Sequence, residues 1–589
     1  MYRTLATVCC LALLTACAST SHDEEIAAPA IAVDTPGSAP PEPTPLPERP
    51  IPESSVYPLI LAEFAMRRGD YNTALDAYLE QARVLNDAGV ASHATHLAQY
   101  LRRPAQSLEA VQIWLELEPD NVEANNTAAT LLAGQQRPLE ALPHMAVVAR
   151  SDVQANFPLL LQGFNQIPPP QQAQLVAGLN ELVQEFPLDP ALLMTQALIH
   201  AEFQQFPESQ AKLDTLFTVD PLQHQALLLE ARIRLNQQEK KPFRHIEAVL
   251  QDNPEDTRLR LEYAKLLTNT DMAAARQQFE ILSAQSPEDA DLLLSLALIN
   301  RENGDDLVAR AYLNQMLALD ARSDEAHYYL GRIAEDRDEQ SDAVRHYQQV
   351  SDGRQYLAAN QRLGQILIES GQFSQVMDWF NGQRTAVPDR SEQLYNIEAD
   401  LLSSAGYLGA SREVLNRGIA AFPDSTALRY ARSMVGEQQN DLVQMEADLR
   451  AILAHDPNNA TALNALGYTL TNRTNRHDEA LTLISRALEL DPEEPAILDS
   501  MGWVLFRKGR VEESLSYLTR AYAAFPDPEV AAHLGEVLWA NGDKESATRV
   551  WQGALLKDPN HPVLLATLER LGVSTTLRTL PGTEVAPQQ

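Results

Sequence analysis

Residues 495–528 read PAILDSMGWVLFRKGRVEESLSYLTRAYAAFPDP. Leu498, Met501 and Leu505 recur at i, i+3 and i+7, which places them on one face of a helix. Gly502 lets a second helix approach closely where a larger side chain would hold it away. Lys508, Gly509 and Arg510 supply a turn. Ser514, Leu515, Leu518 and Ala521 build the apolar stripe of the second helix, and Pro526 ends it. The residues that follow repeat the scheme with Leu534, Gly535, Leu538, Gly542, Ala547, Trp551, Ala554 and Pro559. Those that precede it do so with Leu463, Leu466, Gly467, Leu470, Ala480, Ile484, Ala487 and Pro492, with one extra residue in the turn.

The prolines carry this period along the chain. Pro187, Pro221, Pro254 and Pro287 form one run, and Pro388, Pro423, Pro457, Pro492, Pro526 and Pro559 a second. A period near 34 residues with helical content is the signature of a tetratricopeptide (TPR) array. The expected fold is all-α: a superhelical solenoid of about 15 helix pairs, with an open concave groove lined by the first helix of each pair. Length alone, at roughly 150 residues per domain, suggests about four globular domains; the repeat replaces that reading. Residues 57–456 form a degenerate part of the array, in which Ala321 stands where a proline is expected and 119–187 resists phasing. Residues 457–559 match the pattern well, 560–572 read as a capping helix, and 573–589 as a disordered tail.

The amino terminus opens MYRTLATVCCLALLTAC. Arg3 precedes a mostly apolar run from Leu5 to Leu14, too short to span a bilayer, so residues 1–16 read as a signal peptide. Leu14, Thr15, Ala16 and Cys17 resemble a bacterial lipobox, in which the cysteine is lipidated and becomes the mature terminus. Cys9 and Cys10 would leave with the signal, so no intramolecular disulfide remains possible. Two or more acyl chains anchor stably where one is marginal. Ala18 and Ser19 follow, and by likeness to lipoprotein sorting the lack of aspartate at the second position points to the outer membrane, facing the periplasm of a Gram-negative bacterium. Residues 17–56 are proline-rich, with nine prolines after Cys17, and read as a disordered tether.

The net charge is −34, from 46 Lys+Arg against 80 Asp+Glu, which excludes nucleic acid as an expected partner because phosphate binding needs basic surface. The chain has no phosphate-cradling glycine loop, no His-Glu-x-x-His helix and no nucleophile elbow. Ser209 and Lys212 share the Ser-x-x-Lys spacing of some hydrolases but lie inside a repeat helix without the partner motifs, so chance is the better account. His93 and His96 share a helix face with no further metal ligand nearby in sequence. Asp491, Glu493, Glu494 and Asp527 sit where helix N-termini favour negative charge. The chain reads as a non-enzyme, with no cofactor and no metal.

The informative surface is the expected groove. Aligned on Gly467, Gly502 and Gly535, the inward positions hold Asn464, Tyr468 and Thr471, then Asp499, Trp503 and Phe506, then Ala532, Glu536 and Trp539. Aromatics are 6% of the chain, so their concentration here suggests a protein-binding patch. The other reading is that these rings pack between adjacent repeats; Trp551, on a second helix, belongs to the core.

The run from Ala462 to Leu470 (ALNALGYTL), the segment from Ile497 to Trp503 (ILDSMGW) and the segment from His533 to Trp539 (HLGEVLW) resemble a family of proteobacterial TPR outer-membrane lipoproteins. Lipobox, tether, repeat number and length share in the likeness. The resemblance implies a scaffold that binds a periplasmic carboxyl-terminal processing serine protease and brings it substrates, notably peptidoglycan cross-link hydrolases. A −34 surface would suit basic partners of that kind. The alternative is a scaffold of an envelope assembly machine, for a pilus or for outer-membrane protein insertion.

Overall fold

The computed structural model describes residues 50–151 and 153–573. The expected signal peptide, Cys17, most of the tether and the tail after Val573 lie outside the described residues. Within them the chain forms thirty α-helices and three short 3-10 helices, with no strand. Contacts divide it into two compact units, Met1–Ala284 and Gln285–Gln589.

The helices pair as the proline ladder implies. Pro221, Pro254, Pro287, Pro388, Pro423, Pro457, Pro492, Pro526 and Pro559 each stand two residues past the last residue of a second helix. Proline has no N–H to donate and forces the residue before it out of the helical region. Phe525, before Pro526, is accordingly extended (φ −142°, ψ 94°). Where Ala321 replaces the proline, the helix Asp306–Ala318 stops instead at Asp320 and Arg322, both left-handed at φ 51°.

The first unit holds six helix pairs and one irregular repeat. In that repeat the first helix is replaced by two 3-10 turns, Phe157–Leu161 and Phe164–Gln166, ahead of Pro169–Glu185. Pro158, a left-handed Gly163 and the prolines at 168–170 prevent a continuous helix, while Phe157, Leu160, Leu161 and Phe164 still fill the core. This accounts for the stretch 119–187 that resists phasing. The second unit holds eight pairs and the short helix Pro562–Arg570. Among the described residues the total is fourteen complete pairs and one with a broken first helix, against the expected number of about fifteen. The first helix, Glu53–Arg67, takes in the last four residues of the expected tether, 53–56. Pro52 can stand at its N-cap, where a missing N–H costs nothing.

Packing inside a pair follows the stripes. Leu498, Met501 and Leu505 are buried, as are Ser514, Leu518 and Ala521 on the partner helix. A Cβ on Gly467 would meet Ile484 Cγ1 at 2.5 Å, one on Gly502 would meet Leu518 Cγ at 2.5 Å, and one on Gly535 would strike the Trp551 ring. Second-helix serines add a bond that recurs between the helices of a pair: Ser209 Oγ donates to the Ala197 carbonyl, Ser411 to Ala399 and Ser514 to Gly502, each at 2.7 Å and buried. Ser209 is therefore part of the packing of its pair. His93 packs edge-on to Tyr78, and His96 bonds Glu123 at 2.9 Å.

At the carboxyl end, Leu564 and Leu568 from Pro562–Arg570 join Ala531, Ala547, Trp551 and Ala554 in one apolar cluster. Trp551 is fully buried there.

Candidate protein-binding cleft

In the second unit, the first helices of four successive repeats, Thr426–Gln438, Ala460–Arg473, Pro495–Arg507 and Pro528–Ala540, line a cleft of about 640 Å³. Tyr430, Met434 and Glu437 reach it from the first helix, and Asn464 and Tyr468 from the second. Ile497 and Asp499 come from the third, Phe525 and Asp527 from the following turn, and Glu529 from the start of the fourth.

The repeat register explains why these side chains converge. Ser425 caps Thr426–Gln438 by accepting the Leu428 N–H (3.1 Å), as Asn459 caps the next first helix by accepting from Ala462 (2.9 Å). Aligned on these caps, Ser433 takes the place of Gly467. Tyr430, Met434 and Glu437 then occupy the inward positions held by Asn464, Tyr468 and Thr471 one repeat later. Those three cleft residues are absent from the sequence-based set because the aligning glycine is a serine in their repeat. The cap-to-cap spacing was the signal that could have found them.

Polar contacts tie the cleft wall across repeats. The Tyr468 hydroxyl donates to the Glu529 carboxylate from 61 residues away. Burial first, and then the charge and hydrogen bond of Glu529, push that hydroxyl well above the usual tyrosine range. Beneath it His533 is fully enclosed, with Nδ1 2.9 Å from Asp499 Oδ2. Burial alone would push the imidazole down, but the charge and hydrogen bond of Asp499, with Glu529 and Glu536 adding, hold it above the usual histidine value. The charged imidazole is thus favoured under the cleft floor. Its ring stacks on Trp503, with centroids 4.2 Å apart and planes 18° apart. Asn464 Oδ1 is buried and has no hydrogen-bond partner.

The structure brings together Asn464, Tyr468 and Asp499 from the expected set. Trp503, Phe506, Glu536 and Trp539 keep the expected register but do not line the cleft, because neighbouring elements cover them. Trp503 is 6% exposed, sandwiched by His533, and donates Nε1–H to Asn472 Oδ1 at 2.5 Å. Phe506 packs on Trp503 and on the Leu518–Leu534–Val537 cluster. Glu536 accepts two hydrogen bonds from Arg570 of the terminal helix, at 2.7 and 2.6 Å. Trp539 lies against Trp551, with the Lys544 ammonium 4.8 Å from its ring centre. At these four positions the structure follows the packing reading of the inward register.

The cleft is acidic. Glu437, Asp491, Glu494, Asp499, Asp527 and Glu529 line it, and among the described residues no lysine, arginine or histidine does. Burial raises the Glu437 carboxyl above its usual range; Arg473 opposes this and the charge of Glu529 adds to it. Apolar surface from Tyr430, Met434, Ile497 and Phe525 lies between these carboxylates. Among the described residues no group of three or more His, Cys, Asp and Glu is placed to hold a metal ion. No described helix is long and apolar enough to cross a membrane.

The chain matches the tetratricopeptide repeat family over residues 265–324, 446–495 and 500–562. Human Protein O-mannosyl-transferase TMTC1 is 24% identical over 220 residues, which are 36% of this chain and 24% of that protein. Among solved structures, Naa15/Naa10 bound to HypK-THB aligns at 12% identity over 90% of this chain and 98% of that chain, with a TM-score of 0.39. The TPR repeat-containing protein PA4667 of Pseudomonas aeruginosa is 36% identical over 488 residues, 82% of either chain. With its helix pairs, proline ladder and glycine contacts on the same register, the chain belongs to the family of TPR repeat proteins that includes this Pseudomonas protein.

Proposed function

We propose that this protein is a non-catalytic periplasmic scaffold, anchored in the outer membrane through lipidated Cys17. It binds a carboxyl-terminal processing serine protease and presents peptidoglycan cross-link hydrolases to it. The array supplies surface and the protease supplies the chemistry. The observation that carries the scaffold reading is the cleft: four first helices of a TPR array set half-buried Tyr430, Met434 and Tyr468 among carboxylates, and the turn before the fourth adds exposed Phe525. Protein partners suit such a surface, because apolar anchors give affinity and surrounding charge gives register. The protease, its substrates and the compartment rest on the resemblance of the lipobox and of segments 462–470, 497–503 and 533–539.

Co-purification from detergent-solubilised envelopes tests the reading. Full-length protein should recover a serine protease, and Tyr430→Ala/Met434→Ala, whose side chains also rest on the Met445 and Leu449 cluster, should recover much less at a temperature where amide exchange shows its repeats still folded. No protease with either protein would contradict the proposal. Labelling with radioactive palmitate tests the anchor: wild type should take up label and fractionate with outer membrane, and Cys17→Ala should do neither.

A further inference from the structure

The cleft carries more information than that a protein binds there. Its charged lining is of one sign: Glu437, Asp491, Glu494, Asp527 and Glu529 surround it, while Asp499 is already satisfied from below by His533. Asp491 and Glu494 are exposed at the rim, so their charges face whatever enters. Like charges gathered around one concavity repel, and a cation placed among them relieves that repulsion. Glu437 and Glu529, on first helices three repeats apart in order, already feel each other's charge.

The apolar lining limits what that cation can be. A hydrated metal ion gains nothing from Tyr430, Met434, Ile497 and Phe525, whereas a lysine or arginine stem lies well along such surface while its head reaches a carboxylate. Asn464 also lines the cleft, and its side-chain oxygen has no partner within the protein. A cleft of about 640 Å³ is in the size range that encloses a ligand rather than a single ion.

We infer that this cleft is the docking site for an extended segment of a partner protein, which places a lysine or arginine side chain among Glu437, Glu494 and Glu529 with an apolar neighbour beside it. The inference rests on the scaffold reading and adds the chemistry of what is bound.

An array of immobilised heptapeptides tests it, with randomised apolar and small flanks and lysine, arginine, glutamine or glutamate fixed at the centre, probed with full-length protein. Wild type should prefer lysine and arginine centres over glutamine by roughly tenfold, the scale of one charge-assisted pair. Glu494→Gln/Glu529→Gln should lose most of that preference. Glu512→Gln/Glu545→Gln removes the same charge from exposed second-helix positions and should retain it within about twofold. Because Glu529 accepts the Tyr468 hydroxyl, Glu494→Gln alone, at an exposed site, guards against a folding artefact and should show a partial loss. No preference in the wild type, or equal loss in the cleft and outer variants, would overturn the inference. Protease capture by the same proteins separates the two levels. Capture without peptide preference sinks the cation site and leaves the scaffold standing. Peptide preference without capture does the reverse.

Discussion

Trp503 faces the inner side of its helix in register, yet its ring is spent on its neighbours. It stacks on His533 from the next repeat and bonds Asn472 from the previous one. Trp503→Ala should therefore destabilise the last repeats by about 3–5 kcal/mol, read as faster amide exchange across 495–557. Loss of binding in that variant would report unfolding, whereas loss in Tyr430→Ala/Met434→Ala reports contact when amide exchange shows the repeats intact. His533 gives a signed pH dependence. Its folded pKa lies above the usual histidine value because Asp499, Glu529 and Glu536 outweigh burial, while the raised Tyr468 hydroxyl beside it stays neutral. The stabilisation is fully present below the unfolded pKa and is lost as pH rises through the folded one. Thermal midpoints of the carboxyl-terminal repeats should thus fall on going from about pH 6 to pH 9, and His533→Gln should flatten that slope. The aromatic positions were legible in the sequence, but their partners were not. His533 lies 34 residues from Asp499, and only folded repeats show that it fills the space behind the cleft.

At the scale of helices, the period was legible because it depends on local chemistry. A proline two residues past a helix and a glycine facing a side chain of the partner helix leave marks at fixed spacing. What failed to show was the repeat at 151–185, where buried phenylalanines and leucines keep the apolar content while prolines remove the helix that would display it. The glycine argument has a sharp test. Gly502→Val places atoms against Leu518 and the Ser514 carbonyl, and should cost about 1–3 kcal/mol by overpacking. Gly382, inside the helix Phe373–Ala386, has nothing within 4 Å of its would-be Cβ. Gly382→Ala should stabilise by roughly 0.5–1 kcal/mol through lower unfolded-chain entropy. Local amide exchange suits both, since long arrays need not unfold in one step.

For the molecule as a whole, stacking repeats makes stability a nearest-neighbour property, so the ends matter. Deleting 560–589 uncovers the layer of Trp551 and Ala547 and removes Arg570 from Glu536. It should fray the last pair first, visible as rapid exchange in 528–557 while earlier repeats hold. The −34 charge acts on a longer range than any contact. If partners are basic where they dock, affinity should weaken as salt rises from about 50 to 300 mM, because exposed charges are screened within about 10 Å at 0.1 M. Rates of substrate loss test the scaffold proposal most directly. Purified periplasmic carboxyl-terminal processing protease and a peptidoglycan cross-link hydrolase are mixed with and without this protein, and hydrolase is followed over time. Rapid degradation is expected only when the TPR protein is present, with slower loss for Tyr430→Ala/Met434→Ala. The same rate with and without it would rule out a scaffold role in this degradation.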